Sequence, residues 1–230
     1  MHGDEVYQVL HQIGATSLHH ANSVTTSSTF LEQGGLASRG FVEDHGLRQT
    51  EQGSDALDKR YGIWHRIFLD HVDIHQRGGR VKGPNQYGPV LFVLDLNILL
   101  QLPTGSDILV TKENPIHWRD NQKPEDRYYQ SADELAANIC FGNFNKMLVI
   151  QTPSGMVEFP NRPVQIALDN PQKQVSCGED AYTHAYNRLQ QAARAGKVHA
   201  KIERHDCRGD CICIEKYARY SHQQMDFWFT

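Results

Sequence analysis

Apolar positions recur at helical spacing near the start of the chain, where Val6, Val9, Leu10 and Ile13 fall on one side and Gly14 follows as a stop. Residues 16–21 read as a strand. Ser23 or Thr25 then offers a cap for a helix carrying Val24, Phe30 and Leu31, which Gly34-Gly35 ends. Residues 37–60 are polar, punctuated by Gly40, Gly46 and Gly53, and show no clear period, so they predict a long loop of the functional or mobile kind. Residues 62–73 are dense in apolar and aromatic side chains, and Pro89 to Leu94 form a continuous apolar run, the mark of a strand buried on both faces. A short strand is predicted over 108–110 and a helix over 131–139, opened by Ser131 with Glu134 at its third position. Three strands follow at turn-like spacing, over 146–151, 155–159 and 164–168. A helix over 179–195 closes on Gly196, and residues 197–204 and 212–217 predict a final pair of strands.

Helices early, strands in the middle and one late helix make this an α+β pattern. No internal repeat, low-complexity tract or Pro/Gly/Ser linker divides the chain, so residues 1–230 are expected to form one domain. No apolar run approaches the ~20 residues that span a bilayer. The N-terminus lacks a basic-then-apolar signal pattern, and five Cys make no disulfide framework. The expectation is a cytoplasmic protein with reduced thiols and no membrane partner.

Charge sharpens this picture. The net of −4 disfavours sequence-blind wrapping of duplex nucleic acid, which relies on many cations displacing counterions. The average hides a division. Residues 1–58 carry eight acids against Arg39 and Arg48, whereas 59–82 carry Lys59, Arg60, Arg66, Arg77, Arg80 and Lys82 against Asp70 and Asp73. A basic segment in an acidic chain suits a phosphate-bearing partner, or simply a solvated face.

The sharpest chemical feature is the run from Ser17 to Leu36, SLHHANSVTTSSTFLEQGGL. A strand delivers two adjacent histidines to its end, and successive strand residues point to opposite faces, so only one of His19 and His20 can line a given cleft. With its helix closing on Gly34-Gly35-Leu36, this segment resembles the first motif of the ADP-ribosyltransferase superfamily, and most closely the DarT family of nucleic-acid-modifying toxins. The resemblance covers about twenty residues. It aligns His20 with the motif histidine, His19 with a tyrosine and Asn22 with a threonine.

The resemblance implies a split β-sheet core with flanking helices. It implies transfer of ADP-ribose from NAD to a nucleic acid, single-stranded DNA or RNA, by an effector of the toxin or antiphage type, with an antitoxin protein as a possible partner. It places His20 and Asn22 on NAD, and calls for an arginine soon after the helix, Arg39 first and Arg48 second, to grip the pyrophosphate. It also calls for an aromatic to stack on nicotinamide, Tyr61 or Phe68. Loss of nicotinamide leaves an oxocarbenium-like ribose, which needs a carboxylate near it. Glu158, in a strand between two turns and with Val157 and Phe159 facing the other way, is the first choice, ahead of Glu134 and Glu215. No Gln-x-Glu or Glu-x-Glu pair of the arginine-modifying members is present at these positions.

Rival chemistries also have residues. The same fold can modify protein. Asp70, His71, Asp73 and His75 can be written as a divalent-metal nuclease site, and a non-catalytic binding module needs no catalytic group. His199, His205, Cys207, Cys211 and Cys213 cluster, but Cys-x3-Cys-x-Cys lacks the usual zinc knuckle, so no metal ligand is assigned. No phosphate-binding Gly loop, Gly-x-Ser-x-Gly elbow or His-Glu-x-x-His is present.

Overall fold

The computed structural model describes residues 1–74, 86–142, 146–206 and 213–230. Its elements run α1 (Gly3–Gln12), β1 (Ser17–Asn22), α2 (Val24–Gln33), β2 (Gly35–Ala37), α3 (Arg39–Asp44), α4 (Asp55–Arg60), β3 (Ile67–Asp70), β4 (Val90–Asp95) and β5 (Asp107–Val110). Then follow α5 (Pro124–Arg127), α6 (Ala132–Asn138), β6 (Met147–Gln151), β7 (Met156–Glu158), β8 (Val164–Asp169), α7 (Ala181–Ala195), β9 (Ala200–His205), α8 (Cys213–Arg219) and α9 (His222–Phe229). Short 3-10 helices cover Leu96–Gln101 and Pro115–His117.

Seven strands form one sheet in the order β5-β6-β3-β1-β4-β8-β9, while β2 and β7 pair in a second, small sheet. β1 is central, bonded to β3 on one side and β4 on the other, both antiparallel. β8 and β9 run parallel with α7 between them, the kind of crossover that parallel neighbours require. The mixture of helices and sheets is α+β, as the sequence pattern predicts.

Alternation sorts the sheet into two faces. On one, Leu18, Phe92, Ile166, Ile67, Leu69, Ile150 and Ile108 meet across successive registers and form the main core. The helices α2, α7 and α9 pack on one another as part of that core. Phe30 and Phe92 sit with ring centroids 6.1 Å apart, and Phe92 stacks on Phe159 at 5.6 Å. The opposite face carries a smaller cluster of Ile63, Trp118, Tyr128 and Val149, with Tyr61, Phe68 and Leu109 against it.

Ser23 caps α2 by accepting from Thr26 N–H, and Gly34 closes it in the left-handed region. Gly35 starts β2 opposite Glu158, and a Cβ there would lie 2.7 Å from the Val157 carbonyl oxygen. Only glycine allows this approach of two backbones.

Two expectations are corrected. The polar stretch 37–60 is not a bare loop: it holds α3 and α4, each only six residues long and so too short to show a period. The strand expected over 155–159 is present as β7, and it pairs with β2 rather than with the main sheet. The predicted strand over 212–217 is part of a helix in its described residues, where Cys213 and Tyr217 bury the same side one turn apart. Tyr217 donates to the buried Asp169 carboxylate, which ties that helix to β8.

Gly35→Ala is expected to destabilise the protein by about 1–3 kcal/mol, because the obstructing atoms are backbone and cannot rotate away. Urea unfolding should show the midpoint fall, whereas Gly53→Ala, whose Cβ meets open space, should not lower it comparably.

Candidate functional site

β1 turns His20 and Asn22 toward the main core and His19 toward the opposite face, where it stands across from Asp70. His20 Nδ1 lies 2.7 Å from the Phe68 carbonyl oxygen. A carbonyl only accepts, so Nδ1 carries the proton and Nε2 presents a lone pair. Asn22 Nδ2 reaches that Nε2 at 3.4 Å, and the edge of Phe30 closes the other side at 5.5 Å between ring centroids. Burial holds the imidazole below its usual pKa; the Phe68 carbonyl opposes this, and the Arg39 charge adds to the depression. His20 is therefore neutral at pH 7.

A polar chain leads outward from there. Asn22 Oδ1 accepts from Ser23 N–H at 2.9 Å and from Gln52 Nε2 at 3.2 Å. Gln52 N–H donates to Asp55 Oδ2 at 3.0 Å, and the same oxygen pairs with Arg39 Nη2 at 2.6 Å. Arg39 Nη2 also donates to the Thr50 carbonyl. The strap that carries Thr50 is fixed to α2, since Thr50 N–H donates to Thr26 Oγ1 and Thr29 Oγ1 donates to the Arg48 carbonyl. The polar stretch after Gly-Gly-Leu thus lies over the end of β1.

Arg39 is the outer end of this chain. Its side chain is only 14% accessible, and Nε and Nη1 are buried without a hydrogen-bond partner. Its guanidinium carbon lies 5.3 Å from the Trp64 ring centroid, and Lys59 Nζ lies 4.4 Å from the same centroid. Arg39, Lys59, Trp64, Gln49, Glu51 and Asp55 help to line a cleft of about 370 Å³. That size suits a small ligand, and most of the residues that line it are charged, with Trp64 and Ala56 among them. Glu43 accepts from Lys59 and from Trp64 Nε1, each at 2.6 Å, and these bonds hold its carboxyl below the usual range. Behind the cleft, burial pushes Asp58 up to about 6, with the Asp55 charge adding to the rise, while a Ser54 hydroxyl bond and Arg39 oppose it.

The other expected site residues lie elsewhere. Register turns the Phe68 side chain to the face opposite His20, where it packs with Tyr61 in the smaller cluster. The Tyr61 hydroxyl is spent on the Trp118 carbonyl, and Arg127 covers its ring. Neither aromatic reaches His20. Trp64, from the same aromatic stretch, lies beside Arg39 instead. Arg48 is exposed and close enough to Arg188 on α7 for their charges to interact, while Arg39 occupies the cleft. Glu158 is exposed at the end of β7, paired with Gly35 at the far end of α2 from Asn22, and makes no hydrogen bond or ion pair among the described residues. The runner-up Glu134 accepts from Gln130 N–H and pairs with Lys112, while Glu215 is exposed on α8.

The rival sites fare unevenly. Asp70 is half-buried on the His19 face, His71 is almost fully buried, and His75 lies outside the described residues. Cys207 and Cys211 also fall outside them. Within the basic segment, Lys59, Arg60 and Arg66 are paired with Glu43, Asp120 and Asp107; Arg77, Arg80 and Lys82 are outside the described residues. Among the described residues no helix is long and apolar enough to cross a membrane.

No family model matches the chain, and neither does any curated protein sequence.

Asp58 sets a measurable pH dependence. A carboxyl at about 6 when folded and 3.8 ordinarily favours the folded state most below pH 3.8 and loses that contribution as the pH rises to 6. Asp58→Asn should therefore stabilise the protein at pH 8 by about 3 kcal/mol, and by roughly half as much at pH 5. Chemical denaturation at the two pH values checks this; an equal gain at both would place the cause outside ionisation.

Proposed function

We propose that the protein transfers ADP-ribose from NAD to a nucleic acid, single-stranded DNA or RNA, with the Arg39 cleft receiving the dinucleotide. The observation that carries this reading is Arg39 itself: two buried guanidinium donors without partners, beside an indole face, wired through Asp55, Gln52 and Asn22 to a neutral His20. Buried donors left unpaired are costly, and an anion such as a pyrophosphate is the natural acceptor. Nη2 is already committed to Asp55 and Thr50, so the grip falls to Nη1 and Nε. Trp64 takes over the stacking role that the resemblance to DarT-like proteins gives to Tyr61 or Phe68. A neutral His20 suits a hydrogen bond to a ribose hydroxyl. Glu158 is assigned the carboxylate at the ribose carbon, on the resemblance alone.

One observation favours a second reading. The acid nearest Arg39, Asp55, is neutralised by it, and Glu158 stands at the other end of α2, so the cleft as built also fits a nucleotide-binding module without transfer.

Incubation with NAD and single-stranded oligonucleotides should release nicotinamide and add the mass of ADP-ribose to the oligonucleotide. Arg39→Lys, which keeps the charge and loses the planar donor set, should lower turnover about 10–100-fold, and Glu158→Gln should abolish it. NAD binding without nicotinamide release would select the binding module. Label recovered on protein would move the acceptor, and metal-dependent cleavage without NAD would replace the reading by a nuclease.

A further inference from the structure

Cys177, Glu179 and His184 gather at the start of α7, apart from the Arg39 cleft. The segment that brings them together is closed on itself. Gln174 and Asp180 form an isolated β-bridge, Val175 N–H donates to the Glu179 carbonyl, and Gly178 N–H donates to the Val175 carbonyl. Asp180 caps α7 by accepting from Thr183 N–H at 2.9 Å, which fixes the first helical turn and His184 with it. From α9, Asp226 Oδ1 accepts from Ser176 N–H at 2.8 Å, so the turn is tied to a second helix. Within this frame one donor atom from each of Cys177, Glu179 and His184 lies within 4.8 Å of the others, and Glu179 Oε2 is 2.7 Å from His184 Nδ1.

We propose that Cys177, Glu179 and His184 form a binding site for one zinc-type divalent cation at the turn before α7. The donor set decides the class. A thiolate with an imidazole and a carboxylate suits zinc, whereas magnesium and calcium prefer oxygen alone. The distances decide feasibility. Bonds of about 2.0–2.3 Å to a tetrahedral ion leave ligand atoms roughly 3.3–3.8 Å apart. Glu179 and His184 need only open slightly, and Cys177, exposed with a free thiol, closes from within 4.8 Å by side-chain rotation. On binding, the thiol proton and the proton between Glu179 and His184 both pass to solvent, and the imidazole nitrogen offers its lone pair to the ion. Solvent fills the fourth position. Asp226, close enough to interact electrostatically with both His184 and His222, adds negative charge beside the site.

This site does not depend on the assignment of the Arg39 cleft. Chelator-treated protein titrated with zinc chloride should bind one equivalent, and cobalt chloride should give the near-ultraviolet absorption of a thiolate-bound ion. Cys177→Ser should remove that absorption, and Cys177→Ser and His184→Gln should each weaken zinc binding at least about tenfold. Cys140→Ser, at another exposed free cysteine, should change neither. Far-ultraviolet circular dichroism confirms that each variant is folded, and Glu179→Gln provides an independent third ligand change. Absence of saturable binding, or full binding retained in the Cys177→Ser/His184→Gln double variant, would overturn the proposal.

Discussion

Asn22 is the residue on which the candidate site turns. It is almost fully buried at the end of the central strand, where an unpaired amide would be costly, and it uses both ends of its side chain. The amino group faces the lone pair of His20, and the oxygen gathers Ser23 N–H and the Gln52 side chain. One amide thus joins the sheet, the start of α2 and the strap after α3. Reversing its two ends would set donor against donor at Gln52 and lone pair against lone pair at His20, so the orientation is fixed by its neighbours. Arg39 is held through that strap, and its two unpaired donors acquire a defined place because Thr50 and Asp55 do.

Electrostatics around Arg39 are balanced rather than simply basic. Asp55 neutralises one edge of the guanidinium in a pair that is mostly out of water, and loss of either member would leave the other charge buried. Lys59, Glu43 and Trp64 form a second arrangement around the same indole. The cleft therefore offers a few directed donors and one aromatic wall rather than a diffuse positive field.

Much of the frame was legible because its signals are local. The Ser23 cap, the Gly34 stop and the apolar run from Val90 to Leu94 each declare themselves within a few residues. Strand alternation made legible that His19 and His20 face opposite ways, while the choice of His20 and Asn22 came from the resemblance. What could not be read is non-local. The register that sets His19 against Asp70 also decides that Phe68 turns away from His20, and no pattern within residues 61–68 contains that information. Trp64 was hidden in the same way, as one aromatic among several until α3 and α4 placed it beside Arg39. The short helices α3 and α4 fall below the length at which a period can be seen, and β7 pairs with a strand of three residues that has no alternation to display. The Cys177, Glu179 and His184 grouping escaped because one ligand sits on a helix and two in a turn.

The central place of β1 has a further consequence, for the order in which the chain can assemble. Residues 17–22 leave the ribosome before both of that strand's hydrogen-bonded neighbours, β3 at Ile67–Asp70 and β4 at Val90–Asp95. β1 must therefore emerge with both edges open, and only the arrival of β4 closes it. Until then His20 lacks its sheet surroundings and Asn22 its cover. The last polar contacts of the site thus become dry only after β4 has joined the sheet, so β1 and α2 cannot make a folded site by themselves.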